Sequence, residues 1–278
     1  AFNQGAGGQS LSVLQAFSTN LFGASLSPWG THLSSEEYEP DAFNQGAGGQ
    51  SLSVLQAFST NLFGDSATAN PYDYGHLPEV TVNADGTGSI KKHYCMGRIS
   101  HELIQVMPDN RTALMGDDAT NGGLFMFVAD TEKDLSSGTL YVAKYTSTLT
   151  ESTGATLSWI KLGSATSAEI KALVDGGITC SDMMESLTSD PGDTNYTKVI
   201  LNKVPLWVKV NSGYEKAAAF LETHRYAAMV GGSLSFTKME GTTVNVADKK
   251  AYSAISAIKD SMVSGKSSNV SSLNVVCT

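Results

Sequence analysis

The chain has 278 residues, with 18 Lys and Arg against 27 Asp and Glu, and a formal net charge of −9. Apolar residues make up 41% and charged ones 16%, which is enough for a packed core and excludes wholesale disorder. An acidic chain with no Lys/Arg cluster lacks the charge that neutralises a phosphate backbone, so no nucleic-acid partner is expected. No apolar run reaches the roughly 18 residues of a transmembrane segment. At roughly 150 residues per domain the length allows two domains, although all-β folds of this size are often one. Cys95, Cys180 and Cys277 lie far apart and form no CxxC pair, which argues against a zinc finger, a thioredoxin-type site or a disulfide scaffold.

Ala1–Gly23 reads AFNQGAGGQSLSVLQAFSTNLFG, and Ala42–Gly64 repeats it residue for residue. Structural repeats keep a core-facing pattern while their surface residues drift, and here nothing has drifted. The copy therefore reads as a recent or artificial duplication, not a working repeat. The second copy runs on into the rest of the chain and is taken as the native context. This sets residues 1–24 apart as a duplicated segment and leaves 25–278 as the domain. If one copy pairs into a sheet, the other should be peripheral or differently placed, because flanking sequence decides register. A start at Ala1 without Met fits a processed export product or a fragment, and the C-terminal strand pattern reads as cut short.

From Pro78 onward the pattern is strand and turn. Glu79–Asn83 and Ser89–Cys95 flank an Asp85-Gly86 hairpin signal. Glu102–Pro108 and Thr112–Gly116 flank a Pro-initiated turn. Gly123–Asp130, Gly138–Tyr145 and Thr156–Gly163 continue the series, at spacings of about 12–18 residues that point to an antiparallel all-β fold. A four-stranded, propeller-like sheet is predicted over Glu79–Gly163. Two short helices are predicted outside the sheets. Ser167–Val174 follows a Ser cap and Tyr214–Thr223 is Ala-rich. Strands return at Phe236–Val246, Ala251–Ile258 and Ser271–Cys277.

No GxSxG elbow, HExxH, Walker loop or GxGxxG occurs, and the five histidines share no metal-ligand spacing. Carboxylates beside Gly-rich turns carry what signal there is: Glu36-Glu37, His101-Glu102, Asp117-Asp118 and Glu240. Hard oxygen ligands at strand ends are how an all-β protein collects Ca²⁺ or an oxygen-loving transition metal. Each is also an ordinary solvated acid at a loop edge when taken alone.

The segments SPWGTHLSSEE (Ser27–Glu37), PYDYGHLPEV (Pro71–Val80), Gly97–Asp130, DLSSGTLYVAKY (Asp134–Tyr145) and Ala218–Gly241 resemble, in order, the PhoX family of secreted bacterial alkaline phosphatases. The resemblance runs from about Ser27 to Ile258. It implies a six-bladed β-propeller, a mixed iron and calcium centre, hydrolysis of small phosphomonoesters, and export to the periplasm or the medium. Residue by residue, it implies metal ligands at Glu36, Glu79, Glu102 and Glu240, with Asp117 and Asp118 as further metal candidates beside the Gly-rich turn. Two positions depart from the family pattern. Ser35 stands where a bridging cysteine is expected, which puts iron in doubt, and Lys238 stands where a phosphate-gripping Arg precedes Glu240. Lys238 and Glu240 are the catalytic candidates, and weak phosphomonoesterase activity is expected. The alternative is a non-catalytic propeller that keeps the fold and calcium for binding or assembly. Another propeller hydrolase, a lactonase or a phytase, rests on architecture alone. Family members are roughly twice this length, so missing blades or a partner chain are expected to cover open sheet edges.

Overall fold

The computed structural model describes residues 21–150, 154–257, 260–262 and 273–274, and in them the chain is mostly β-sheet with a few short helices. The first sheet is an antiparallel meander in chain order: β1 (Leu21–Leu26), β2 (His32–Glu36), β3 (Leu77–Val82) and β4 (Gly88–His93). Helix α1 (Leu52–Phe63) lies in the β2–β3 connection. The predicted Asp-Gly hairpin joins β3 to β4: Gly86 takes φ +84°, and Asp85 accepts hydrogen bonds from the N–H and hydroxyl of Thr87.

The second sheet contains β5 (His101–Val106), β6 (Thr112–Asp117), β7 (Phe125–Thr131) and β8 (Asp134–Tyr145). After the short β9 (Leu149–Thr150), β10 (Leu157–Thr166) returns to it, giving the order β10-β8-β7-β6-β5. Then come α2 (Ser167–Asp175), α3 (Cys180–Met183), β11 (Met184–Leu187), β12 (Thr197–Leu201) and β13 (Val204–Val210), the strands forming a sheet of order β11-β13-β12. Helices α4 (Glu215–Leu221) and α5 (Thr223–Met229) precede the hairpin of β14 (Met239–Asn245) and β15 (Lys250–Ile255). Finally β16 (Leu273–Asn274) pairs in parallel with β9. None of these sheets closes on itself.

Alternation builds the core. Phe125, Phe127 and Ala129 of β7 are fully buried while the residues between them are half-buried, the period-2 pattern of a strand with one core face. They pack in one cluster with Leu140 and Val142 of β8 and with Phe220 and Leu221 of α4. Five consecutive residues of α4, Ala217–Leu221, are buried, so this helix is an interior element and not an amphipathic one.

Several expectations are corrected. The sheet predicted over Glu79–Gly163 is split: β3 and β4 join the first sheet, and five strands form the second. The reason lies at Tyr94–Met96, whose first two residues end the strand predicted over Ser89–Cys95. It is a buried 3₁₀ turn that carries the chain from one sheet to the next. Helix α2 is capped by Thr166 instead of a Ser, with Glu169 completing a capping box. The Ala-rich helix stops at Leu221, and a separate helix starts at Thr223. The strand predicted from Phe236 starts at Met239, because Lys238 has φ +51°. Of Ser271–Cys277 only Leu273–Asn274 falls within the described residues.

Residues 1–20 of the first repeat copy lie outside the described residues. Its last three residues, Leu21-Phe22-Gly23, are extended in β1, whereas Leu62-Phe63 end a helix and Gly64 is its left-handed cap at φ +77°. A Cβ on Gly23 would sit 1.5 Å from the Glu102 carbonyl oxygen, so here the same glycine serves close packing. These three residues take two structures because their neighbours differ.

Candidate metal centre and active site

The run Glu36-Glu37-Tyr38-Glu39-Pro40-Asp41 leaves the end of β2, and all four of its acids are buried. Three of them meet cations. Glu36 pairs with Lys92 (2.8 Å) and accepts the N–H groups of Gly75 and His76 (2.9 Å each); burial still holds its carboxyl above the usual range. Glu39 faces His224 Nδ1 at 3.2 Å, and Asp41 faces Arg225 at 3.1 Å. Burial pulls both upward, but the neighbouring cations outweigh it and hold both carboxyls below their ordinary values. Tyr38, between Glu37 and Glu39, has φ +57°. A left-handed residue breaks the strand alternation that would put Glu37 and Glu39 on one face, and Glu37 goes elsewhere.

Glu37 meets two more acids, Glu102 on β5 and Asp118 just past β6, with one carboxylate oxygen of each lying within 4.8 Å of the others. Lys238, just before β14, puts Nζ 2.7 Å from Asp118 Oδ2 and donates to the Asp118 carbonyl at 2.9 Å. The Tyr38 hydroxyl lies 3.4 Å from Asp118 Oδ2, and the Lys238 ammonium sits 5.9 Å from the Tyr38 ring centroid. Backbone contacts fix the group: Asp118 N–H donates to Ser100 O (2.9 Å), Tyr38 N–H to Ser100 Oγ (3.0 Å), and Lys238 N–H to Ala119 O (3.1 Å). Thus the end of β2, the start of β5, the end of β6 and the start of β14 share one rim. A cavity of about 80 Å³ opens beside it, walled by Tyr38, Glu39, Gly48, Asp118, Thr120 and Lys238.

The electrostatics are those of crowded acids. Burial, then contact with Asp118 and the charge of Glu102, pushes the Glu37 carboxyl up to about 8, against the pull of the Tyr38 hydroxyl. Burial and the charges of Asp118 and Glu240 also raise Glu102. Asp118 Oδ1 is buried with no hydrogen-bond partner. One floor below, His224 Nε2 lies 2.7 Å from Asp117 Oδ2, which also accepts Gly123 N–H. Held between Asp117 and Glu39, His224 is raised to about 10 in spite of its burial.

The model of the family described as alkaline phosphatase PhoX matches residues 23–275. The chain belongs to the PhoX alkaline phosphatase family. A solved structure of Pseudomonas fluorescens PhoX in complex with vanadate, a transition state analogue, is similar to it with a TM-score of 0.53 at 17% identity. The match covers 91% of this chain and 42% of that one, so the chain spans less than half the length of this relative. No curated protein matches the chain.

The site residues expected from the sequence fall into three groups. Glu102, Asp118 and Lys238 come together at the rim. Glu240, exposed on β14, contributes through its charge on Glu102. Glu36, Glu79 and Asp117 are engaged elsewhere. Glu79 accepts from Trp29 Nε1 (2.8 Å) and Thr31 Oγ1 (2.5 Å) and lies 2.7 Å from His93 Nε2. Burial raises its carboxyl, but these bonds win and bring it down to about 2. Ser35, where the resemblance led one to expect a cysteine, accepts Gly23 N–H (2.9 Å) and donates to the Glu102 carbonyl (2.5 Å), tying β1 to β5. Tyr38 and His224 were not singled out from sequence. Glu37 was noted only beside Glu36, and nothing in the pair says which of the two turns toward Glu102.

Proposed function

We propose that the chain is a metal-dependent phosphomonoesterase acting on small phosphate esters at this rim. The observation that carries the reading is the group of Glu37, Glu102 and Asp118 with Lys238 at its edge, in a chain of the PhoX family. That the Pseudomonas relative takes vanadate as a transition state analogue supports the same substrate class.

The residues fit a hard cation. Three carboxylates supply the oxygen ligands that Ca²⁺ and oxygen-loving iron prefer. The unpartnered Asp118 Oδ1 and the raised carboxyls of Glu37 and Glu102 mark repulsion that a cation would relieve. No thiolate is among them, so the donor set favours calcium over a thiolate-bridged iron pair. When bound, such a cation polarises the phosphoryl group and activates an oxygen nucleophile. The chain's own residues do the rest. Glu37, Glu102 and Asp118 would hold the cation, with Glu37 in place of Glu36 as the ligand from the β2 end. Lys238 neutralises phosphoryl oxygens as a point charge, without the planar fork of an Arg, which favours weak turnover. Glu240 is the solvent-accessible carboxylate of the same rim.

The four- and five-stranded meanders are read as propeller blades and β14–β15 as the inner half of another, within one unit over 25–278. Further strands or a partner chain would cover the open edges. As in the family, the expected location is the periplasm or the medium. No helix among the described residues is long and apolar enough to cross a membrane.

The test is hydrolysis of an aryl phosphate with added Ca²⁺ or Fe²⁺, with and without chelator. Chelator-sensitive turnover that Lys238→Ala lowers about ten- to a hundred-fold is expected. No turnover with either metal would favour the binding-module reading.

A further inference from the structure

Tyr38 is the residue on which the acidic group turns. It holds a left-handed backbone, φ +57°, that a bulky side chain rarely adopts and that persists only where its surroundings enforce it. Those surroundings are visible. Ser100 Oγ accepts its N–H, and the Gly48-Gly49 loop closes over its backbone so tightly that a Cβ on Gly49 would lie 2.5 Å from Tyr38 Cα. The consequence is that Glu37 faces Glu102 and Asp118, while Glu39 faces His224. The Tyr38 hydroxyl reaches Asp118 Oδ2 and also bonds the Glu37 side chain. Its ring is a wall of the 80 Å³ cavity and lies under the Lys238 ammonium. One side chain therefore meets two of the three carboxylates and lies beneath the Lys238 ammonium.

We propose that Tyr38 is the positioning residue of the cation site: its hydroxyl lies between the Glu37 and Asp118 carboxylates, and the one proton it donates holds them in the orientation that ligates a divalent cation. This rests on the metal reading above. An outer-shell hydrogen bond of this kind sets the direction of ligand oxygens, and its loss typically weakens metal affinity about 10- to 100-fold. A phenol that merely fills space would leave affinity untouched when its hydroxyl is removed, since the ring remains.

The experiment is calorimetric titration of the whole chain with Ca²⁺, and separately with Fe²⁺ under anaerobic conditions, for wild type, Tyr38→Phe and Tyr94→Phe. Tyr94 is the control: it is buried, and its hydroxyl meets Asp73 at the same 3.4 Å, away from the acidic group. Tyr38→Phe should weaken binding at least about tenfold, with a melting midpoint within about 2 °C of wild type, and Tyr94→Phe should bind as wild type does. Wild-type affinity in Tyr38→Phe overturns the inference and leaves the metal reading standing. Equal losses in both variants, or a loss that tracks the melting midpoint, also overturn it. A wild type that takes up neither ion removes the metal reading, and this inference with it.

Discussion

His224→Gln probes the layer beneath the acidic group. In the folded chain His224 lies 3.2 Å from Glu39 and 2.7 Å from Asp117, and all three side chains are buried. Its pKa rises from an ordinary 6.5 to about 10. Both carboxylates pull the imidazole toward its charged form against the cost of burial. Removing one partner of a buried ion pair costs about 3–5 kcal/mol, because the other is left buried and uncompensated. Glutamine keeps hydrogen-bonding reach but not the charge, and should lower the melting midpoint at pH 7 by about 6–20 °C, at about 2–4 °C per kcal/mol. A group with a raised folded-state pKa contributes fully below its unfolded value, about 6.5, and loses the contribution as pH rises through about 10. The difference between wild type and variant, read from thermal melts across pH, should therefore be full at pH 6 and fade by about pH 11. A variant within about 1 kcal/mol of wild type at pH 7, or a difference that persists at pH 11, would refute the reasoning.

Glu37, raised to about 8, is protonated at pH 7 and must lose its proton to act as a ligand. Calcium titration at pH 7 in weak buffer should therefore release protons and tighten toward pH 9; pH-independent binding would count against the assignment. Ser35→Cys replaces a hydroxyl that bonds Gly23 N–H and the Glu102 carbonyl, and should cost about 1–2 kcal/mol in denaturant melts without raising phosphatase turnover. A rise in turnover would restore this position to a metal-bridging role. Glu79→Gln should destabilise by about 1.5–3 kcal/mol near neutral pH, where the charged carboxylate bonds Trp29, Thr31 and His93. Because the folded-state value is depressed from 4.5 to about 2, that stability is present above about 4.5. It is lost as pH falls through about 2, so acid melts of the two proteins should converge there.

Strand identity was legible wherever alternation and turn chemistry coincide, as in the Asp85-Gly86 hairpin and the Phe125–Ala129 core face. It was not legible where burial is complete on both sides: Tyr94-Cys95-Met96 has no polar face to mark it as a turn between sheets. The membership of the acidic group was half legible. Glu102 and Asp118 stand beside turns that the sequence marks, while Lys238 enters only through the PhoX resemblance. The choice of Glu37 over Glu36 depends on a left-handed Tyr38, and non-glycine residues give no local signal for that backbone. Glu79 and Glu36 carry the same carboxylate in the sequence, yet His93 with Trp29 and Thr31, and Lys92, engage them through pairings formed only when β3 and β4 fold onto β2.

The rim formed by Glu37, Glu102, Asp118 and Lys238 is proposed as the phosphoryl-transfer site. A crystal structure of the protein grown with Ca²⁺ and vanadate tests it most directly. A cation should lie about 2.3–2.6 Å from oxygens of Glu37, Glu102 and Asp118, with the vanadium oxyanion beside Lys238. A cation held by Glu36 and Glu79 with the rim carboxylates unligated, or vanadate bound away from Lys238, would contradict it.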